Sequence, residues 1–208
     1  MTPEQFILTH TELMAPPLVP EVALHLATEV VPLWRKTEEE LAAEGVPPPY
    51  WAFAWAGGQA LARYVLDNPD TVRGKTVLDF GSGSGLVAIA AAKAGGRVLV
   101  ADIDAFAAAA IALNAKANGV DLAVTTDDLI GRACDRQVLL IGDMCYERPL
   151  AERLLGWLKA SGALVLLGDP GRSYFPKDGV ERVSTYRVQT TRELEDREIR
   201  ETGVYRLM

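Results

Sequence analysis

The stretch Val77-Leu78-Asp79-Phe80-Gly81-Ser82-Gly83-Ser84-Gly85-Leu86 carries the first residues whose types and spacing suggest chemistry. Three glycines at alternate positions let the backbone approach a ligand closely, and a helix opening at Leu86 would aim its free N–H groups at that ligand. The spacing is not the dinucleotide fingerprint G-x-G-x-x-G: the glycines fall at positions one, three and five, and Leu86 holds the sixth. Asp79, two residues before the first glycine, would repel a pyrophosphate and suits a ligand that carries positive charge. Asp102 follows Gly81 by 21 residues. A carboxylate there can accept from both hydroxyls of a ribose. Asp104 is its rival, but it stands before an alanine-rich segment, where it is placed to cap a helix. Asp127 and Asp128 form a second acidic pair further on, and Asp143-Met144-Cys145-Tyr146 ends another apolar run.

Strands and helices that alternate would place these residues at one edge of a sheet. Lys75–Phe80, Arg97–Ala101, Leu122–Thr125, Gln137–Gly142 and Ala163–Gly168 read as short buried strands. Between them Leu86–Lys93, Ala105–Ala117 and Glu147–Lys159 read as helices, the second closed by Asn118-Gly119. That alternation predicts a parallel sheet covered on both faces, with ligands at the carboxyl ends of its strands. Val180–Thr190 and Ile199–Leu207 alternate like strands around a charged turn at Arg192–Arg197, which predicts an antiparallel hairpin. Residues 1–46 read as an acidic, helical extension broken by Pro16, Pro17, Pro20 and Pro32, and residues 47–208 as the main domain. After Pro47-Pro48-Pro49 the chain carries Trp51, Phe53 and Trp55 at alternate positions, then Gly57-Gly58 and a helical pattern through Leu61 and Val65. Trp51 and Phe53 read as core residues.

Asp79-x-Gly81-x-Gly83-x-Gly85 after a first strand resembles the nucleoside-binding motif of class I, seven-β-strand S-adenosylmethionine-dependent methyltransferases. The resemblance implies a Rossmann-like seven-stranded sheet, mostly parallel with a C-terminal antiparallel hairpin. It implies S-adenosyl-L-methionine as cofactor, a molecule with an ammonium, a carboxylate and a sulfonium but no phosphate. Trp55, Asp79, Gly81, Ser82, Gly83 and Gly85 would then surround it, with Asp102 and Ile103 at the ribose. Asp127 and Asp128 would accept from the adenine amine, or else cap the turn Leu129–Arg132, and Asp143 would line the same site. Methyltransferases that act on adenine or glutamine amides carry an Asn/Asp-Pro-Pro-aromatic tetrad after the fourth strand. Asp143-x-x-Tyr146 instead is similar to the signature of the family 16 protein-lysine methyltransferases. A lysine arrives as an ammonium and must lose a proton, and Asp143 can orient it while Tyr146 offers a ring face, so these two are the catalytic candidates. The plainer alternative makes Asp143 a turn residue and Tyr146 a core residue.

Pro49–Leu61, Asp102-Ile103-Asp104, Asn114, Gly142–Tyr146 and Gly168-Asp169-Pro170-Gly171-Arg172 resemble one branch in particular, the electron transfer flavoprotein β-subunit lysine methyltransferases. The similarity runs over nearly the whole chain. It implies that the partner is that β-subunit, and Cys145 stands where a bulkier residue is expected. Arg172 has three readings: a solvated arginine, an ion-pair partner or a substrate contact.

Composition narrows the alternatives. The 208 residues carry 21 basic and 28 acidic side chains, a net charge of −7, which disfavours a nucleic-acid partner because such binding needs a basic face. The acidity is concentrated at the N-terminus: residues 1–50 hold eight Glu against Arg35 and Lys36, which favours a basic partner surface. Two cysteines and two histidines, His10 and His25, are too few and too scattered for a metal site. No leader or membrane-spanning stretch is visible, so a cytoplasmic enzyme is expected. Two alternatives remain. One is a methyltransferase for a small molecule or a ribosomal protein, against which the short N-terminal part counts. The other is a non-catalytic S-adenosylmethionine-binding module.

Overall fold

The computed structural model describes residues 1–27, 48–190 and 198–208. The chain begins with α1 (Pro3–His10), then the short strands β1 (Glu12–Met14) and β2 (Leu24–Leu26). A 3-10 turn at Tyr50–Ala52 leads into α2 (Ala56–Asp67). The alternating part comprises β3 (Thr76–Phe80), α3 (Leu86–Lys93), β4 (Arg97–Ala101), α4 (Ala105–Ala117), β5 (Ala123–Thr125), β6 (Val138–Gly142), α5 (Arg148–Ala160) and β7 (Leu164–Asp169). The hairpin strands β8 (Val180–Gln189) and β9 (Ile199–Leu207) complete it.

Seven strands form one sheet in the order β5-β4-β3-β6-β7-β9-β8. The first five are parallel, and β9 runs antiparallel to both β7 and β8. The chain moves from β3 outward to β4 and β5 and then returns to the other side of β3 for β6. That reversal opens a crevice at the carboxyl ends of β3, β4 and β6, the place where open α/β sheets bind ligands. The seven-stranded mixed sheet expected from the sequence is present.

Side chains alternate across the sheet as strand geometry requires. Val77, Val138, Leu140, Leu166 and Val204 pack with α2 and α3 on one face. Leu78, Phe80, Leu139, Ile141, Val165 and Leu167 pack with Leu154, Trp157 and Leu158 of α5 on the other. With both faces covered, these strands are near-continuously apolar, as parallel strands must be.

The N-terminal part differs from the expectation of helix. Among the described residues there, 1–27, only α1 is helical, opened by a capping box in which Thr2 and Gln5 exchange hydrogen bonds. Beyond it Glu12–Met14 pairs antiparallel with Leu24–Leu26. Pro16, Pro17 and Pro20 forbid a continuous helix, and Val19, Val22, Leu24 and Leu26 instead bury themselves in the same core as α2 and α3. Asn114 on α4 and Asn118 at its C-terminal cap hold this segment. Asn114 Oδ1 accepts from the His25 N–H at 2.7 Å, while its Nδ2 donates to the Ser84 carbonyl in the glycine-rich turn at 2.8 Å. Asn118 accepts from the Ala23 N–H and donates to the Ala23 carbonyl. The acidic run Glu38–Glu40 and the turn Arg192–Arg197 lie outside the described residues.

The turn between β3 and α3 is built by Asp79. Gly81, Gly83 and Gly85 all take positive φ, at 65°, 55° and 82°, where a side chain would be strained. Beneath them one oxygen of the Asp79 carboxylate accepts from the Ser82 hydroxyl and from the Ala88 N–H inside α3. Asp79 is only 1% exposed. Burial pushes its carboxyl up to about 7, with the two hydrogen bonds pulling the other way.

Two outcomes follow from these contacts. Asn114→Ala removes the partners of two backbone groups in a buried site and should lower stability by about 2–4 kcal/mol, read from urea unfolding midpoints. Asp79 binds its proton more tightly folded than unfolded, so its contribution to stability is complete below about pH 4 and is lost as pH rises through about 7. Asp79→Asn cannot lose a proton, so its melting temperature should fall less than that of wild type between pH 5 and pH 8; equal slopes would remove Asp79 as the cause.

Candidate functional site

A cavity of about 500 Å³ opens at the carboxyl ends of β3, β4 and β6. Trp55, Asp79, Gly81, Ser82, Gly83, Asp102, Ile103, Asp127, Asp128, Asp143 and Tyr146 all line it. Gly85 does not; it sits at the start of α3 in the left-handed conformation and shapes the turn rather than the wall. Among the titratable wall residues, six carboxylates (Asp79, Asp102, Asp104, Asp127, Asp128 and Asp143) face two guanidinium groups, Arg153 and Arg172. Such a wall suits a ligand with positive charge and disfavours a polyphosphate.

Asp102 follows β4 directly. Its two oxygens accept from the Gly83 N–H at 2.8 Å and the Asp104 N–H at 3.0 Å, which fixes the carboxylate across the glycine-rich turn. Burial raises its proton affinity, and those two N–H groups oppose the rise. Asp104 spends its side chain on the Phe106 N–H at 2.8 Å as the cap of α4. Asp127 and Asp128 stand beyond β5. Asp127 pairs with Arg132 at 2.9 Å and Asp128 with Arg153 at 3.0 Å, and both pairs are more than half exposed. Asp128 also accepts from the Ile130 N–H, the turn-capping role weighed for it, and that bond and Arg153 hold its carboxyl below the usual range.

The other end of the cavity is built around Asp143. It follows β6 with φ at 62°, the only positive value among the described residues other than glycine. Asp tolerates that region better than most residues, though it still costs on the order of 1 kcal/mol. Three contacts hold it there. Its N–H donates to the Gly168 carbonyl at 2.9 Å. Its Oδ2 accepts from the Gly57 N–H, in the first turn of α2, at 2.5 Å. Its Oδ1 is paired with Arg172 Nε at 2.5 Å, with the carboxylate 6% exposed and the arginine 20%. Of the three readings of Arg172, the structure thus shows an ion pair. The guanidinium also lies 5.8 Å from the centre of the Trp55 ring, within cation–π range.

Gly57 and Gly168 make this arrangement possible. A Cβ on either would collide with the carbonyl oxygen of the other, so the first turn of α2 can cross the ends of β6 and β7 at backbone contact only with both as glycine. Asp169, ending β7, accepts from the Gly171 and Arg172 N–H groups at 2.7 Å each. Burial lifts its carboxyl to about 6, and the charge of Asp143 adds to the rise. Cys145 is buried beside them, its thiol pushed up to about 12 by burial and then by Asp169 and Asp143, so it stays protonated.

Tyr146 is 44% exposed at the mouth, which sets aside the core reading. The sequence reading missed Tyr50, whose ring lies 5.9 Å from Tyr146 and 6.1 Å from Trp55. Trp55 Nε1 donates to the Tyr50 carbonyl at 2.9 Å, so the aromatic frame is tied to the backbone. Its one signal was its place at the head of the aromatic run Tyr50–Trp55. Met144 was also missed; its sulfur packs where a Cβ on Gly81 would stand. Trp51 and Phe53 are buried as expected, yet both also line the cavity. The indole N–H of Trp51 is buried and has no hydrogen-bond partner among the described residues. Among the described residues no helix is long and apolar enough to cross a membrane, and no cluster of His, Cys, Asp and Glu is placed to hold a metal ion.

The profile of the ribosomal protein L11 methyltransferase family (PrmA) matches residues 59–140. Among solved structures the fold resembles magnesium protoporphyrin IX methyltransferase from Synechocystis PCC 6803, with a TM-score of 0.55 at 14% identity over 73% of this chain and 78% of that one. Curated relatives are far nearer in sequence. The electron transfer flavoprotein beta subunit lysine methyltransferase of Danio rerio is 41% identical over 86% of this chain and 71% of its own length. That of Xenopus laevis is 45% identical over 86% of this chain and 75% of its own length. With that identity over that much of both chains, and the expected residues gathered on one cavity, the chain belongs to the electron transfer flavoprotein β-subunit lysine methyltransferase family.

Proposed function

We propose that the protein transfers a methyl group from S-adenosyl-L-methionine to lysine side chains of the electron transfer flavoprotein β-subunit. One observation carries this reading: Asp102 and the Asp143–Tyr146 pair line a single cavity, just past the ends of β4 and β6, the two strands that flank β3. Two strand spacings separate those positions by ~10 Å, so a nucleoside held at Asp102 can extend across the glycine-rich turn toward Asp143. The named substrate of the relatives supports the choice of acceptor.

The wall fits the cofactor. The acidic lining suits its ammonium and sulfonium, and the glycine-rich turn leaves backbone accessible. S-adenosylmethionine supplies there a methyl carbon on a positively charged sulfur, which the lone pair of a neutral amine displaces to leave S-adenosylhomocysteine. The protein's part is to hold, orient and desolvate. Asp102 fixes the ribose end. Asp143 and the Tyr146 ring border the acceptor's approach, and Tyr50 and Trp55 narrow the mouth around it.

Incubation with methyl-labelled cofactor and the purified β-subunit should place label on lysine, mapped by mass spectrometry; cofactor binding without any labelled lysine in that protein or in a cell lysate would return the chain to the binding-module reading. Asp102→Ala should weaken cofactor binding about 10- to 100-fold, the loss of a charge-assisted acceptor. Calorimetry decides, and wild-type affinity in the folded variant would move the ribose role to Asp104. Asp143→Asn should leave cofactor affinity near normal but slow methyl transfer on the order of 100-fold or more. Turnover at the wild-type rate would take Asp143 out of the acceptor site.

A further inference from the structure

A carboxylate beside the acceptor poses a difficulty. An uncompensated negative charge favours the ammonium form of an incoming lysine, and the ammonium has no lone pair with which to attack. The structure does not leave Asp143 uncompensated: both oxygens are occupied, one by the Gly57 N–H and one by Arg172. Arg172 is itself fixed from three sides. Its backbone N–H donates to Asp169, its Nε meets Asp143, and its guanidinium rests near the Trp55 ring.

We propose that Arg172 is a positioning residue that fixes Asp143 and offsets its charge, so that the acceptor lysine reaches the cofactor as the free amine. This rests on the lysine-methyltransferase reading above. The proton leaves the lysine for bulk water before attack, and Asp143 keeps its hydrogen bonds throughout and takes no proton. Among the described residues the charged and titratable groups around Asp143 are few. Arg172 and Asp169 come from the end of β7 and the loop after it, Cys145 and Tyr146 from its own loop, and α2 contributes the Gly57 N–H at its positive end. Above about pH 6 Asp169 adds a second negative charge, and Cys145 stays neutral to about 12. Losing Arg172 therefore removes a positive charge beside the acceptor, while losing the charge of Asp143 removes a negative one.

The two substitutions must then move the acceptor's titration in opposite directions, which a merely structural role would not produce. The measurement is kcat against pH with the β-subunit as substrate and saturating cofactor, with cofactor affinity of each variant by calorimetry. Arg172→Gln should raise the acidic limb of the profile by about one pH unit or more while cofactor affinity stays within about threefold. Arg172→Lys should bring the limb back toward wild type. Asp143→Asn, slow as it is, should move the limb downward. An Arg172→Gln profile that is uniformly lower but parallel to wild type overturns the proposal, as does a shift of both variants in the same direction. If Arg172→Gln does not fold, judged by its thermal transition, the Asp143→Asn limb decides alone, and an unmoved or raised limb there overturns it. A wild-type protein that binds cofactor but methylates no lysine defeats the underlying reading instead, a result distinct from any shift in profile.

Discussion

The backbone contact between Gly57 and Gly168 is the constraint on which the site depends. Helices normally stand about 10 Å from the sheet they cover, separated by side chains. Here Gly57 and Gly58 in the first turn of α2 have none to interpose, and they lie directly on the ends of β6 and β7. That proximity aims the Gly57 N–H at Asp143 and sets Trp55, just upstream, beside Arg172. It also fixes Tyr50 through the Trp55 indole. A methyl group at either glycine would lift the helix and dissolve all of these contacts together, although neither glycine takes part in chemistry.

Electrostatics in the site follow from burial more than from charge count. Asp79, Asp102 and Asp169 all gain proton affinity by desolvation, and each is held by donors that keep the ionised form tolerable, the Ser82 hydroxyl and Ala88 N–H for Asp79 and backbone N–H groups for the other two. Of the two arginines on the wall, Arg153 pairs with Asp128 and Arg172 with Asp143. The Asp128–Arg153 pair is solvated and contributes little to stability, while the Asp143–Arg172 pair is shielded, so its geometry matters more.

Much of this was legible in the sequence, and the limits have a physical basis. Strand and helix bounds were read to within a residue or two from hydrophobic runs and from Asn118-Gly119, because burial and turn preferences act locally. The cavity residues came from the glycine spacing and from acids placed at strand ends. The segment at residues 12–26 was misread as helix, since three-residue strands are too short to show a period of two and their stability comes from Asn114 and Asn118 on a distant helix. The partner of Asp143 was open for the same reason. Arg172 lies 29 residues away and Gly57 lies 86 residues away, and nothing periodic links such positions.

The order β7-β9-β8 has a consequence for how the chain must come together. Strand β8 is synthesised first yet never touches β7; β9, made later, fills the place between them. While a nascent chain has emerged only through β8, the β7 edge, with Leu166 and Leu167, has no neighbour on that side. An open parallel-sheet edge invites pairing with the wrong strand. Completion of this sheet is therefore a late, non-local event, and the hairpin must arrive as a unit, with its second strand leading.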